Sequence, residues 1–181
     1  ILGLSPLFAA ENIEPALNGN ELAVTQWLEN EEGNMLEMLE RIVNINSGSL
    51  NKAGVDEMAA IFSRELRDLG FSISSFPGEV IAMPSCPGSN YNVDVADHVL
   101  ASKSGSGKKL LLMGHLDTVF PPSSEFQTFR RNSNTMYGPG VSDMKGGLVV
   151  MLYALKALQE FGLLEDMSLT ILLNSDEEMG S

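Results

Sequence analysis

Residues 108–120 read KKLLLMGHLDTVF, an apolar run that leads directly into a histidine and an aspartate. The nearly continuous apolar run predicts a strand that is covered on both faces of a sheet. His115 follows this strand and Asp117 lies two residues further on, so in extended chain both side chains point to the same side. A carboxylate in this position can hold the second nitrogen of a metal-binding histidine. The alternative is a buried structural histidine beside an unrelated aspartate.

A second apolar segment, residues 167–175, also ends in acidic side chains, those of Asp176, Glu177 and Glu178. Two like charges about 5 Å apart repel by roughly 3 kcal/mol at an effective dielectric near 20, so an acidic cluster beside a core favours a bound cation. Adjacent glutamates point in different directions and suit different tasks. One can bind a metal while the other takes a proton from water. An acidic surface turn is the alternative.

YGPGVSDMKGG at residues 137–147 lies between these two strands and is the second motif in chain order, so that the histidine segment is the first motif and the acidic segment at residues 174–181 is the third. Its glycines allow the backbone to come close to a site or to a neighbouring strand. Asp143 stands just before a predicted helix, where an N-cap is the simpler interpretation. Ligands of open α/β sheets gather at the carboxyl ends of strands, and two of the three motifs follow strands. Together the motifs therefore predict one shared site.

Helical and strand-like segments alternate along the rest of the chain. Apolar spacing predicts helices over residues 26–43, with a break near Gly33, and over residues 55–69 and 145–161. Strands are predicted at residues 71–76, 95–102, 108–115 and 167–175, with hairpin turns at 103–108 and 132–134 and a long loop at 77–92. This order indicates an α/β layer architecture.

The composition excludes several classes of function. Against 24 acidic residues stand 11 lysines and arginines, and the formal net charge of −13 argues against a nucleic-acid or anionic-membrane partner, which would need a basic surface. No segment is long and apolar enough to predict a membrane span. The single cysteine, Cys86, cannot form an internal disulfide. Of the two histidines, His98 lies within a predicted strand and is expected to be structural.

The first residues predict export. Residues 1–12, ILGLSPLFAAEN, are similar to the end of a signal-peptide apolar region followed by small residues and a polar mature start. We therefore interpret residues 1–25 as a leader with a signal-peptide remnant. An exported, periplasmic location is the prediction, and a cytoplasmic location is the alternative.

In this order and with these gaps, GHLDTV, YGPGVSDMKGG and NSDEEMGS resemble the signatures of the co-catalytic di-zinc metallopeptidases. This family includes carboxypeptidase G, acetylornithine deacetylase, succinyl-diaminopimelate desuccinylase and the aminoacylases. Phe120 and the residue sequence of the second motif look closest to carboxypeptidase G, which removes C-terminal glutamate. The resemblance implies a phosphorylase/hydrolase-like, three-layer α/β/α zinc-peptidase catalytic domain with a mixed, largely parallel central sheet. Residues 26–181 would be its N-terminal half.

The resemblance also implies a role for each motif residue. His115 would bind one zinc ion, Asp143 would bridge two zinc ions, and Glu178 would bind the other, with cobalt or manganese as substitutes. Asp117 would orient His115, and Glu177 would be the general base. The family usually has a cis peptide bond after the bridging aspartate, which here predicts one between Asp143 and Met144.

The implied reaction is hydrolysis of an amide or peptide bond by metal-activated water, with Glu177 passing the proton to the leaving nitrogen. The expected substrate is a small peptide or an N-acyl amino acid, and a glutamate carboxypeptidase is the leading interpretation. An N-acyl amino-acid deacylase of the acetylornithine deacetylase type is one alternative. A non-catalytic binding or assembly domain is the other.

Members of this family continue well beyond the third motif. A further acidic ligand, a distant histidine ligand and a lid or dimerisation domain have no counterpart in these 181 residues. The resemblance therefore predicts a missing C-terminal half as partner and a homodimer when complete. Alone, this chain is expected to bind metal weakly, to hydrolyse nothing appreciable and to leave apolar surface uncovered.

Overall fold

The computed structural model describes residues 17–85 and 89–180, and its elements follow in chain order. The helices are α1 (Gly19–Asn30), α2 (Glu32–Val43), α3 (Lys52–Asp68) and α4 (Lys145–Glu160). The strands are β1 (Ser72–Phe76), β2 (Val80–Ser85), β3 (Ser89–Asp94), β4 (His98–Lys103), β5 (Lys109–His115), β6 (Arg130–Asn132), β7 (Thr135–Tyr137) and β8 (Ser168–Asn174). A short 3₁₀-helix, Glu177–Met179, follows β8.

Two expectations fall on residues that the structure does not describe. Residues 1–16, which hold the expected signal-peptide remnant, lie outside the described residues, as does Cys86. The division of the chain at residue 25 stays a prediction, and α1 runs across that boundary. No described helix combines the length and the apolar character that a membrane crossing requires.

The four-stranded sheet has the order β1-β4-β8-β5 and mixes both strand directions. β5 and β8 are parallel, while β4 is antiparallel to both β1 and β8. The prediction of a mixed sheet is confirmed. Of the three strand pairings in this sheet among the described residues, one is parallel. The connection from β5 through α4 to β8 is the usual strand–helix–strand unit of α/β folds.

The core lies on one face of this sheet. Buried side chains of β4 and β8, among them Ala101, Ile171 and Leu173, pack with α2, α3 and α4 into a single cluster. On the opposite face Leu111 and Met113 of β5 are 59% and 62% exposed. The prediction that this strand is covered on both faces is therefore wrong for the described residues, because they supply helices to one face only.

The hairpin predicted at residues 103–108 is also wrong. β4 and β5 are consecutive in sequence, but β8 lies between them and pairs with both. The expected long loop at residues 77–92 is instead largely the antiparallel hairpin of β2 and β3, which is separate from the main sheet. The small hairpin of β6 and β7 is confirmed.

The predicted helix over residues 26–43 is two helices, which meet at Glu31 rather than near Gly33. α1 begins earlier than predicted because Asn18 and Glu21 form a capping box. The Asn18 side chain accepts the N–H of Glu21 at 3.0 Å, and the Glu21 carboxylate accepts the N–H of Asn18 at 2.8 Å.

Candidate metal centre

The parallel pairing of β5 and β8 brings the first and third motifs together. His115, the last residue of β5, is paired in register with Asn174, the last residue of β8. Just beyond the sheet, Leu116 donates its N–H to the Asn174 carbonyl at 2.7 Å. The segments that follow β5 and β8 therefore leave the sheet at the same edge, as the sequence predicted. The loop that carries Asp143 reaches this edge immediately before α4.

Three of the predicted site residues form a cluster at this edge. His115, Asp143 and Glu178 each offer one ligand atom, and these atoms all lie within 4.8 Å of one another. His115 Nε2 is 3.0 Å from Asp143 Oδ1. An imidazole nitrogen and two carboxylate oxygens are a donor set that suits a divalent transition-metal ion. The Asp143 side chain is 77% exposed, which leaves its second oxygen accessible.

Asp117 lies beneath this cluster and is fully buried. Its Oδ1 is 3.2 Å from His115 Nδ1, so that the Nε2 atom faces Asp143. Its Oδ2 accepts hydrogen bonds from Ser49 Oγ at 2.6 Å and from the N–H of Glu178 at 3.1 Å. One carboxylate therefore orients the histidine and ties the first motif to the third.

Sequence reasoning missed Ser49, which lies in the loop between α2 and α3. This loop is held next to the first motif by Thr118, whose N–H donates to the Ser47 carbonyl at 2.9 Å. In return Ser49 donates its N–H to the Thr118 carbonyl at 3.2 Å. The sequence carries no signal for this contact, because Ser49 and Asp117 are 68 residues apart.

The charges of the cluster are strongly coupled. The hydrogen bond that His115 donates to Asp117, and then the one that it donates to Asp143, raise the pKa of His115 to about 9, although burial acts to lower it. Burial acts to raise the pKa of Asp117, but the hydrogen bonds from His115, Ser49 and the Glu178 N–H together lower it. Burial, and then the negative charge of Asp143, raise the pKa of Glu178. Without a metal ion, a proton on His115 supplies the positive charge that these carboxylates favour.

Glu177 and Glu178 differ in their place relative to the cluster. Glu178 joins the cluster, whereas the Glu177 side chain is 54% exposed and its Oε2 lies 4.0 Å from His115 Nε2. Both residues belong to the short 3₁₀-helix that follows β8. Glu177 therefore stands beside the potential ligands, where it can reach a small molecule bound to them.

The loop of the second motif adopts the predicted backbone. The peptide bond between Asp143 and Met144 is cis. The Met144 sulfur accepts the N–H of His115 at 3.2 Å, so this loop contacts the end of β5 directly. Lys145, which follows, is completely buried, and burial lowers its pKa to about 8.

His98 lies apart from the cluster. Its Nδ1 accepts the N–H of Ser175 at 3.2 Å and lies 4.0 Å from Asp176 Oδ1. It thus contacts the backbone at the start of the third motif, on the side of the sheet edge that faces β4. His115 is the histidine that the structure places among the predicted ligands.

Two recesses adjoin the cluster and share Val119 and Glu178. The larger, of about 410 Å³, is bordered by Asp143 and otherwise mainly by aromatic and apolar side chains, Phe120, Phe126, Met136, Tyr137 and Val141. The smaller has a volume of about 260 Å³. Among the described residues, neither lining contains a lysine or an arginine. A molecule bound here would meet apolar surface and carboxylates.

The segment that holds the three motifs is similar to a known protein family. Residues 111–181 match the family described as peptidase family M20/M25/M40. The predicted family resemblance is confirmed. Carboxypeptidase G2 from Pseudomonas sp. (strain RS-16) is 33% identical to the chain over 153 residues, which cover 83% of this chain and 34% of that protein.

A second relative has a different activity. Succinyl-diaminopimelate desuccinylase from Pseudoalteromonas atlantica (strain T6c / ATCC BAA-1087) is 29% identical over 149 residues, which cover 80% of this chain and 35% of that enzyme. The chain therefore spans about one third of the length of the curated relatives that it matches.

A solved structure confirms the fold class. Human carnosine dipeptidase 1 superposes with a TM-score of 0.73 at 19% identity, over 87% of this chain and 35% of that chain. At this identity the likeness concerns the fold alone. The α/β architecture with a mixed sheet is thus a fold that this chain shares with human carnosine dipeptidase 1.

Proposed function

We propose that this chain is the metal-binding part of a zinc-dependent amide hydrolase. One observation carries this proposal: His115, Asp143 and Glu178 come from three separate motifs, yet their ligand atoms lie within 4.8 Å of one another. An imidazole nitrogen and two carboxylate oxygens this close together form a donor set for a divalent cation, which would offset the repulsion between the two carboxylates. The similarity to peptidases of the M20 family supports hydrolysis as the chemistry.

The ligands in this proposal are His115, Glu178 and Asp143. His115 would bind through Nε2, since its Nδ1 is held by Asp117. The exposed carboxylate of Asp143 would extend between two ions, with cobalt or manganese as possible substitutes for zinc. When bound, such ions polarise a substrate carbonyl and make water more acidic.

Glu177 would act as the general base. Its half-exposed carboxylate lies next to the cluster without belonging to it, which suits a group that takes a proton from the attacking water. The same carboxyl group would then donate this proton to the leaving nitrogen. The water attacks directly, so no acyl-enzyme is formed.

The proposed substrate is a small peptide or N-acyl amino acid with a C-terminal carboxylate, and glutamate is the preferred leaving residue. The similarity to carboxypeptidase G2 supports this choice. The lining of the two recesses contains no lysine or arginine among the described residues, so the substrate carboxylate would be gripped by residues elsewhere in the protein. We propose that these belong to further sequence and to a homodimer partner.

An N-acyl amino-acid deacylase is the second candidate, because the desuccinylase relative matches over a similar share of the chain. The two candidates differ in the amino acid that is released, which is glutamate for the first and another amino acid, such as ornithine, for the second. Assaying a full-length protein that contains this chain against N-acyl glutamates and N-acetylornithine would distinguish them.

The metal site itself can be tested on the 181-residue chain by calorimetric titration with Zn²⁺. We expect saturable binding that His115→Ala abolishes, while His98→Ala serves as a matched control and keeps the affinity within about twofold. Glu177→Gln should also bind with nearly unchanged affinity, since its carboxylate is not a ligand. Equal affinity in the His115→Ala variant and the wild type would exclude the proposed site.

A further inference from the structure

Lys145 is a completely buried lysine that stands two residues after the candidate ligand Asp143. Its side chain turns away from the cluster and crosses to the end of α2. There Nζ donates hydrogen bonds to the carbonyls of Ile42 at 3.0 Å and Ile45 at 2.7 Å. Burying an ammonium group is costly unless its charge and its donors are satisfied, so this contact calls for an explanation.

The C-terminal end of α2 explains why the ammonium group is stable at this position. The last carbonyls of a helix lack partners within the helix and carry part of the negative end of its dipole. Ile42 belongs to the last turn of α2, and Ile45 follows the helix closely. The positive charge of Lys145 therefore caps α2 from the start of α4.

Two glycines hold the same loop against α2. A Cβ at Gly138 would lie 2.3 Å from Cγ1 of Val43, the last residue of α2. Gly140 has a φ of +78°, and a Cβ there would lie 2.9 Å from Cγ and Cδ of Lys145. The loop is thus fixed to α2 at its start, through Gly138, and at its end, through Lys145. Asp143 is carried between these two anchors.

We propose that Lys145 is a positioning residue for the metal site, an inference that rests on the proposed function. By fastening the start of α4 to the end of α2, it fixes where the loop presents the Asp143 carboxylate. Directing its ammonium group to α2 also keeps a positive charge that is close in sequence from pairing with Asp143 and Glu178. These carboxylates then stay available for a divalent ion.

The test is a titration of the 181-residue chain with Co²⁺, followed by calorimetry and by the visible absorption of the bound ion. Lys145→Met keeps the length and the apolar stem of the side chain but removes the ammonium group. We expect its cobalt affinity to fall by about tenfold or more, as is usual when a group that orients a metal ligand is lost. The absorption spectrum of bound cobalt should change as well.

Lys156→Met is the matched control on the same helix. Lys156 pairs with Glu65 at 2.8 Å and lies over the ring of Tyr153, away from the cluster. This variant should lose some thermal stability yet bind cobalt within about twofold of the wild-type affinity. The control separates a general loss of stability from a displaced ligand.

Gly140→Ala tests the same anchor without changing Lys145. The added methyl group would push the lysine stem and should also weaken cobalt binding. If Lys145→Met fails to fold, the cobalt affinity of Gly140→Ala tests the positioning role of Lys145 in its place. If Lys145→Met folds and keeps the wild-type cobalt affinity and absorption spectrum, the inference about Lys145 is wrong, while the proposed function is unaffected. If Lys145→Met does not fold, wild-type affinity and spectrum in Gly140→Ala have the same meaning. Absence of specific cobalt binding in the wild-type chain would overturn the proposed function and this inference with it.

Discussion

The buried side and the exposed side of the metal cluster are built in opposite ways. On the buried side, the Asp117 carboxylate has hydrogen-bond partners for both oxygens within the described chain. On the exposed side, the side chains of Asp143 and Glu177 are 77% and 54% accessible to solvent. The carboxylate on the buried side is thus fully hydrogen-bonded as folded, whereas the exposed side leaves carboxylate oxygens open to solvent and, in the proposed function, to a metal ion. Stability should depend on the first side and metal binding on both.

Replacing the central residue of the buried side should have the largest effect. Asp117→Ala would leave the polar groups of His115, Ser49 and the Glu178 backbone without their common partner. Breaking such a buried charged network costs about 3 to 5 kcal/mol, so we expect a loss of this size in the free energy of unfolding. Urea denaturation of the metal-free chain measures it. A loss below about 1 kcal/mol would show that the buried side is not the stabilising one.

The exposed side should show the reverse pattern. Asp143→Ala removes a solvent-exposed carboxylate that repels Glu178 but also pairs with His115. These two effects oppose each other, so the free energy of unfolding should change by no more than about 1 kcal/mol. Zinc affinity, in contrast, should fall at least tenfold, because one ligand is missing. Calorimetry and urea denaturation of the same sample measure both quantities. A large loss of stability would remove the contrast between the two sides.

The pH dependence of stability sharpens the same contrast through His115. Its folded-state pKa of about 9 exceeds the ordinary value of 6.5, so it contributes stability below pH 6.5 that is lost as the pH rises. Between pH 6.5 and 8 the metal-free chain should lose on the order of 1 to 2 kcal/mol. Above pH 8 the lowered pKa of Lys145 opposes this decline.

Urea denaturation at several pH values follows this loss, and His115→Gln serves as the control in which the slope should disappear. Saturating zinc should also flatten the profile, because the ion takes the place of the proton. A wild-type profile that rises over this interval would contradict the protonated histidine.

Removing Ser49 should have a smaller effect than removing Asp117, its partner on the buried side. Ser49→Ala deletes one of the hydrogen bonds to Asp117 but leaves the others in place. A lost hydrogen bond to a charged group costs about 1 to 3 kcal/mol, and we expect the lower end of this range in thermal or urea unfolding. Ser124→Ala, on the surface loop, is the comparison. Equal effects of the two substitutions would argue against a special contact with Asp117.

The ligand cluster could be predicted from the sequence because each candidate follows a strand or precedes a helix in its own motif. The cis peptide bond at Asp143 was available from the family resemblance as well. Ser49 and Lys145 could not be found this way, since their partners lie 68 and about 100 residues away in the chain. Local patterns identify the groups that end an element but not the distant groups that hold them.

The fold shows the same limit. The strands around residues 98–103 and 109–115 were predicted, but their pairing was not, because β8 is placed between them only by the return of the chain through α4. The hairpin of β2 and β3 was missed because residues 77–92 are rich in proline, glycine, serine and asparagine, which usually indicate a loop. The capping box of Asn18 and Glu21, in contrast, is a local pattern that the sequence itself displays.

The three candidate ligands belong to the end of β5, the start of α4 and the end of β8, so a bound ion would act as a reversible crosslink. It would close the 28-residue segment from His115 to Asp143 and the segment from Asp143 to Glu178. Closing loops of this length restricts the unfolded chain far more than the folded one. A chelator would therefore do more than empty a site: it would release the constraint that joins β5, α4 and β8 as one unit.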